Sequence, residues 1–115
     1  MTAHPAEETF RRLAIGDQAL LARIADPSAA MDGDRALDDL TAALLRIGAL
    51  VALDAPESSY RSAVDAAERA GARLDDLLAV LLAVAGSVGS ARIVSAAPRL
   101  AMAAVYDVEA DLERR

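Results

Sequence analysis

The stretch LDDLTAALLRIGALVAL, residues 37–53, decides the fold. Leu37, Leu40, Ala43, Leu44, Ile47, Leu50 and Val51 recur at helical spacing, which lines one face of a helix with apolar side chains. Asp34 or Asp38 suits the cap at its start, and Asp54-Ala55-Pro56 stops it. Downstream, the same reading predicts a helix over Glu57–Ala70, with Ser58 and Ser59 in its first turn. Gly71 stands where a left-handed C-terminal residue belongs. Asp75 and Asp76 open a further helix that runs to about Ala85. Gly86-Ser87-Val88-Gly89-Ser90 reads as a helix–helix turn, since it lacks the lysine-bearing pattern of a phosphate loop and any preceding strand. Ala91–Val105 forms a fifth helix kinked at Pro98, and the residues from Asp107 suggest a short sixth.

Upstream, the apolar stripe of Phe10, Leu13, Leu20, Leu21 and Ile24 predicts one amphipathic helix opening near Ala6. Gly16-Asp17 bends it and Asp26-Pro27 ends it. Residues 1–5, with the single His4, read as a flexible tail and not as a metal site, and Ser28–Arg35 as a connector. Nothing alternates as a strand would. The expectation is an all-α bundle of five to six helices in a single domain spanning residues 1–115.

Composition narrows what such a bundle can do. The chain carries a formal charge of −6 and no cysteine, and all of its basic side chains are arginine. An acidic chain without a basic stripe is poorly suited to nucleic acid or anionic lipid. The lack of thiols excludes disulfides and thiolate chemistry and fits a cytoplasmic setting. Leu77–Val88, the longest apolar run, is about a dozen residues where a membrane span needs roughly 20, so it is expected to be a buried core helix. Aromatics make up only 3% of the chain. A core of small aliphatic side chains gives up the large area that rings bury, which favours covering a helix face with another subunit. A homo-oligomer is therefore expected.

Catalytic patterns are sparse. Ser58 and Ser59 lack an activating base, because the only histidine is His4. The carboxylate pairs Glu7-Glu8, Asp38-Asp39 and Asp75-Asp76 lie at helix starts, where the helix dipole explains them. No histidine–carboxylate spacing suits a metal, and no cofactor motif is present. Arg46, Arg61, Arg92 and Arg99 fall in or beside apolar helices, where a free charge is out of place. Arg92 suits an anion in a cleft or, as the simpler reading, an intersubunit or intrahelical ion pair. Tyr60 and Tyr106 are the only phenols.

The segment Leu37–Leu100 resembles the carboxymuconolactone decarboxylase family, which includes alkylhydroperoxidase-D-like proteins. The resemblance rests on the helix from Leu45, on Ala66-Ala67-Glu68-Arg69-Ala70-Gly71 followed by Leu74-Asp75-Asp76-Leu77-Leu78, and on Val88-Gly89 leading into Arg92-Ile93-Val94-Ser95-Ala96-Ala97. It implies a helical bundle assembling as a trimer or hexamer, with a pocket between helices. The family's reactive residues do not carry over. Its histidine falls at Ala63, its cysteine pair at Pro56 and Ser59, and its proton-relay glutamate near Ala43. Alanine exchanges no proton, so whether the chain is an enzyme stays open and thiol peroxidase chemistry is disfavoured. On this reading the chain binds a small carboxylated metabolite and, if it is an enzyme, converts it without cofactor, as a decarboxylase or isomerase. Arg92 or Arg61, with Ser59, holds the substrate, while Tyr60 or Glu57 supplies the proton. The competing reading is a non-catalytic helical assembly protein.

Overall fold

The computed structural model describes residues 4–25 and 37–113 and, in the last helix, the side chains of residues 90–105, 112 and 113. Among the described residues there are six helices and no strand: α1 (Pro5–Ala14), α2 (Gln18–Ala25), α3 (Asp39–Leu53), α4 (Glu57–Arg69), α5 (Leu74–Val88) and α6 (Ser90–Glu113). They divide between two compact units, one within residues 1–36 and one within 37–115. The expected connector Ser28–Arg35, and Asp34 with it, lies outside the described residues.

In the first unit the single bent helix expected from sequence is two helices. Asp17 explains the break. Its carboxylate accepts from the Leu20 amide at 3.1 Å, which caps α2, and from Arg12 Nε at 2.8 Å, which ties it back to α1. The Arg12 contact and the Leu20 amide hold the Asp17 carboxyl below its usual range. α1 also begins earlier than the sequence suggests. His4 is its N-cap, with Nδ1 accepting from the Ala6 amide at 3.1 Å, and Pro5 supplies a first helical position that needs no donor.

In the second unit four helices form a ring. α3 packs on α4 and α5, α6 packs on the same two, and α3 touches α6 only lightly across the diagonal. Gly48 of α3 lies against Val80 and Val84 of α5. A Cβ added there would stand 3.3 Å from the Val84 side chain, so glycine permits the close approach. Thr41 and Asp76, near the two helix starts, also share one groove, and α3 and α5 therefore run parallel. The buried core is aliphatic except for Tyr60, which is fully enclosed with Ile47, Val51, Val64 and Leu77.

The helix ends follow from local chemistry. Asp38 caps α3 by accepting from the Thr41 amide at 2.7 Å. The Asp76 carboxylate accepts from the Arg73 amide at 2.8 Å at the start of α5. Ser58 and Ser59 do lie in the first turn of α4, but the cap residue is Pro56, which makes no side-chain cap bond. α3 and α4 end alike: Ala55 and Asp54 donate back to Leu50 and Val51, and Ala72 and Gly71 to Ala67 and Glu68. The residue that turns left-handed is Gly71 in α4, as expected, and Asp54 in α3, at φ +52°.

Two boundaries differ from expectation. α5 continues through Gly86 and Ser87 to Val88, and the turn is Gly89 alone, at φ +85° and ψ 159°, a conformation that belongs to glycine. Packing of α5 on α6 outweighs the weak helix propensity of Gly86. α6 then runs unbroken past Asp107 to Glu113 with Pro98 inside it. The carbonyl deprived of its donor belongs to the exposed Val94, where water can serve it. The Leu77–Val88 run is also not the buried helix that its composition suggests. Leu77, Val80 and Leu81 face the core, whereas Leu78 and Leu82 are 55% and 70% exposed. No helix among the described residues is long and apolar enough to cross a membrane.

Candidate functional site

Arg92, Ser95 and Arg99 stand at i, i+3 and i+7 on α6, a spacing that places them on one helix face. α6 starts at the end of the ring where α3 gives way to α4, so that face meets Asp54. The Ser95 hydroxyl donates to Asp54 Oδ1 at 2.7 Å, and Arg99 Nη1 reaches the same oxygen at 3.2 Å. Arg92 Nη1 lies 3.3 Å from Oδ2. Arg99 also donates to the Ala55 carbonyl at 3.0 Å, satisfying backbone that the end of α3 leaves without a partner.

The electrostatics of this corner follow from those contacts. Arg92 sits in the first turn of α6, the positive end of the helix dipole, where a cation is disfavoured without a neighbouring anion. Asp54 supplies it. The Ser95 hydroxyl above all, then Arg99 and Arg92, hold the Asp54 carboxyl below its usual value. Side-chain exposures of 38–45% keep all three charges in reach of solvent.

Beneath them lies Tyr60. Its ring is fully buried, and its hydroxyl, enclosed as well, makes no hydrogen bond. Burial pushes the phenol above its usual value; Arg99 works against that shift and Asp54 with it, so both are near enough to be felt. The hydroxyl is thus a protonated donor with nothing to donate to.

The residues singled out from sequence separate into two groups. Arg92 and Tyr60 belong to this corner. Glu57 and Arg61 form an exposed ion pair at 3.0 Å on the outer side of α4, away from the enclosed Tyr60 ring, and Ser59 is half-buried between them in sequence. Glu57 is therefore not brought onto the phenol. Arg92 does form an ion pair within the chain, between helices and not along one: it bridges α6 to the end of α3. Tyr106 lies where side chains are not described.

Asp54 and Ser95 were not legible as site residues. Asp54 reads in sequence as part of a helix stop. The available signal was the i, i+3, i+7 spacing of Arg92, Ser95 and Arg99, which demands an acceptor opposite. Among the described residues, no group of three or more acidic or histidine side chains converges as a metal site would.

A second feature is an open groove of about 350 Å³ between α3 and α5. Its walls are Leu45, Gly48, Ala79 and Ala83, with Thr41 and Asp76 at one end. It is apolar and holds no arginine, so it offers a carboxylate nothing.

Comparison with protein-family models, with curated proteins and with solved structures finds no match to this chain.

Proposed function

We propose that the chain is a divergent, thiol-free relative of the carboxymuconolactone decarboxylase group. On this reading it works in the cytoplasm as a homo-oligomer and binds a small carboxylated metabolite at the corner of Arg92, Ser95 and Arg99. One observation carries the binding reading: two guanidinium groups and a hydroxyl on one face of α6 already converge on a carboxylate, that of Asp54, over a buried phenol without a partner. Arginine pairs recognise carboxylates through charge-assisted hydrogen bonds. A ligand that exchanges with Asp54 keeps those bonds, and it reaches the Tyr60 hydroxyl as a further donor once the side chains enclosing that hydroxyl part. If conversion follows, the protonated Tyr60 is the proton source, and the chemistry is a cofactor-free proton transfer or decarboxylation.

The test is calorimetric titration of the protein with a panel of aliphatic and aromatic mono- and dicarboxylates, followed by assay of any binder for release of carbon dioxide. Binding that weakens at least tenfold in Arg92→Ala and in Tyr60→Phe is expected. A panel without a binder at millimolar concentration overturns the reading.

A second reading, a non-catalytic helical assembly protein, is favoured by a different observation. The groove between α3 and α5, with its exposed leucines, is a surface for a partner and not for a metabolite acid.

A further inference from the structure

We propose that the outer face of α3 and α5 is covered by a second copy of this chain, packed about a two-fold axis. The inference rests on the self-assembly part of the reading above and gives it a surface and a symmetry. From Leu77 to Ala91 the chain has no charged residue, so α5 is apolar on every side beyond its first turn. A helix of that kind is stable when buried all round. Its own unit buries only the Leu77, Val80 and Leu81 side. Leu78 and Leu82 are exposed on α5, and Leu45 of α3, in the wall of the groove that Ala79 and Ala83 share, is 58% exposed.

Three features select the occupant. The first is shape. This face holds a hollow walled by Leu45, Gly48, Ala79 and Ala83 and also exposed leucines able to fill such a hollow, Leu45 in its wall and Leu82, between Ala79 and Ala83 in sequence, on α5. A two-fold interface needs hollow and ridge on one surface, because each copy offers the same patch. The second is charge. Copies of a chain with a net charge of −6 repel one another, and α5 presents the stretch from which charge is missing. The third is area. Two neighbouring helices of 15 residues span about 22 Å by about 20 Å. That plan of about 440 Å², before side-chain relief is added, is about half of the roughly 800 Å² per partner found in stable interfaces.

The absence of native cysteine gives a clean test. Ala79→Cys and Ala83→Cys, near the proposed axis, are oxidised in the full-length protein beside Ala66→Cys on the exposed side of α4, and sedimentation velocity gives the particle size of the untreated protein. Covalent dimers from Ala79→Cys or Ala83→Cys but not from Ala66→Cys, in a particle with an even number of chains, support the proposal. As an independent arm, Leu82→Glu should lower self-association at least tenfold while circular dichroism stays helical. A monomer at about 100 μM overturns the self-assembly reading itself. An oligomer that survives Leu82→Glu, cross-links equally through Ala66→Cys, or contains an odd number of chains overturns this face and its symmetry alone. Shielding of Ala79→Cys from a thiol reagent in a monomer would mean that the N-terminal unit is the occupant, and overturns the second copy.

Discussion

α4 and α5 are helices of similar length that pack on the same two neighbours, and each buries three side chains in the core: Tyr60, Val64 and Ala67 from one, Leu77, Val80 and Leu81 from the other. Their outer sides are opposites. α4 carries Glu57, Arg61, Asp65, Glu68 and Arg69, with Glu57–Arg61 and Asp65–Arg69 paired at i, i+4. α5 carries Leu78, Ala79, Leu82 and Ala83. The inner pattern builds the bundle, and the outer pattern says what each helix meets. For α4 that is water; for α5 it is, on the proposal above, the same face of a second copy. A helix's role in a fold and its role in an assembly are thus written on different faces and can be changed separately.

The largest expected effects test the shared inner face. Leu77→Ala on α5 and Val64→Ala on α4 should each destabilise the fold, Leu77→Ala by about 2–5 kcal/mol and Val64→Ala by somewhat less, because both side chains are enclosed. Chemical denaturation followed by circular dichroism measures this, and a loss below about 1 kcal/mol at Leu77 would show that the α5 inner face is not core. Next is the turn that aims α5. Gly89→Ala places a Cβ on a backbone suited to glycine and should cost about 1–3 kcal/mol by the same measurement.

The outer faces should respond weakly in stability and unequally in assembly. Asp65→Ala removes one exposed i, i+4 pair and should change stability by about 0.5 kcal/mol or less without altering particle size, whereas Leu82→Glu alters size. Equal behaviour of the two variants in sedimentation would erase the contrast.

Tyr60 breaks the symmetry of the inner faces. Among the described residues it is the one buried core side chain with a polar atom, and that atom has no partner. Tyr60→Phe should leave stability unchanged or raise it by up to about 1 kcal/mol, since a buried unpaired hydroxyl is a cost. A fall of more than about 1 kcal/mol would mean that the hydroxyl is bonded in the free protein.

Acid should reveal the Asp54 corner. The folded-state carboxyl lies below its ordinary value of 3.8. Its contribution to stability is therefore present above the unfolded value and is lost as pH falls through the folded one. Acid unfolding of the native chain below about pH 4 should include this loss, and Asp54→Asn should flatten that part of the curve. Asp54→Gly should be milder than Asp54→Ala, because glycine relieves the left-handed backbone and alanine does not. The reverse order would show that the backbone at this position is relaxed in solution.

Much of the bundle was legible in the sequence and much of the corner was not, for a physical reason. The periodicity of residues 37–53, the Asp38 cap and the left-handed Gly71 are local, and local chemistry decides them. The break at Asp17 is set by its local bonds to Arg12 and Leu20, which periodicity does not register, whereas the persistence of α5 through Gly86 and the unbroken α6 go with packing between helices. The corner is the extreme case, since Ser95 and Arg99 meet a carboxylate 41 and 45 residues away. Sequence reading singled out Arg92 as a charge beside an apolar helix and Tyr60 as one of two phenols, and overlooked Asp54 because a helix stop is an ordinary place for aspartate.

The ring also sets an order for its own assembly in time. α3 with α4, and α5 with α6, are hairpins closed by short turns, formed from contacts close along the chain. Contacts of α3 with α5 and of α4 with α6 close long loops, and such closure is the slow part of folding. The hairpins should therefore form early, and their docking should set the rate. Substitutions at Gly48, where α3 meets α5, should slow refolding, while the loss of the Asp54 contacts, if they form after docking, should mainly hasten unfolding.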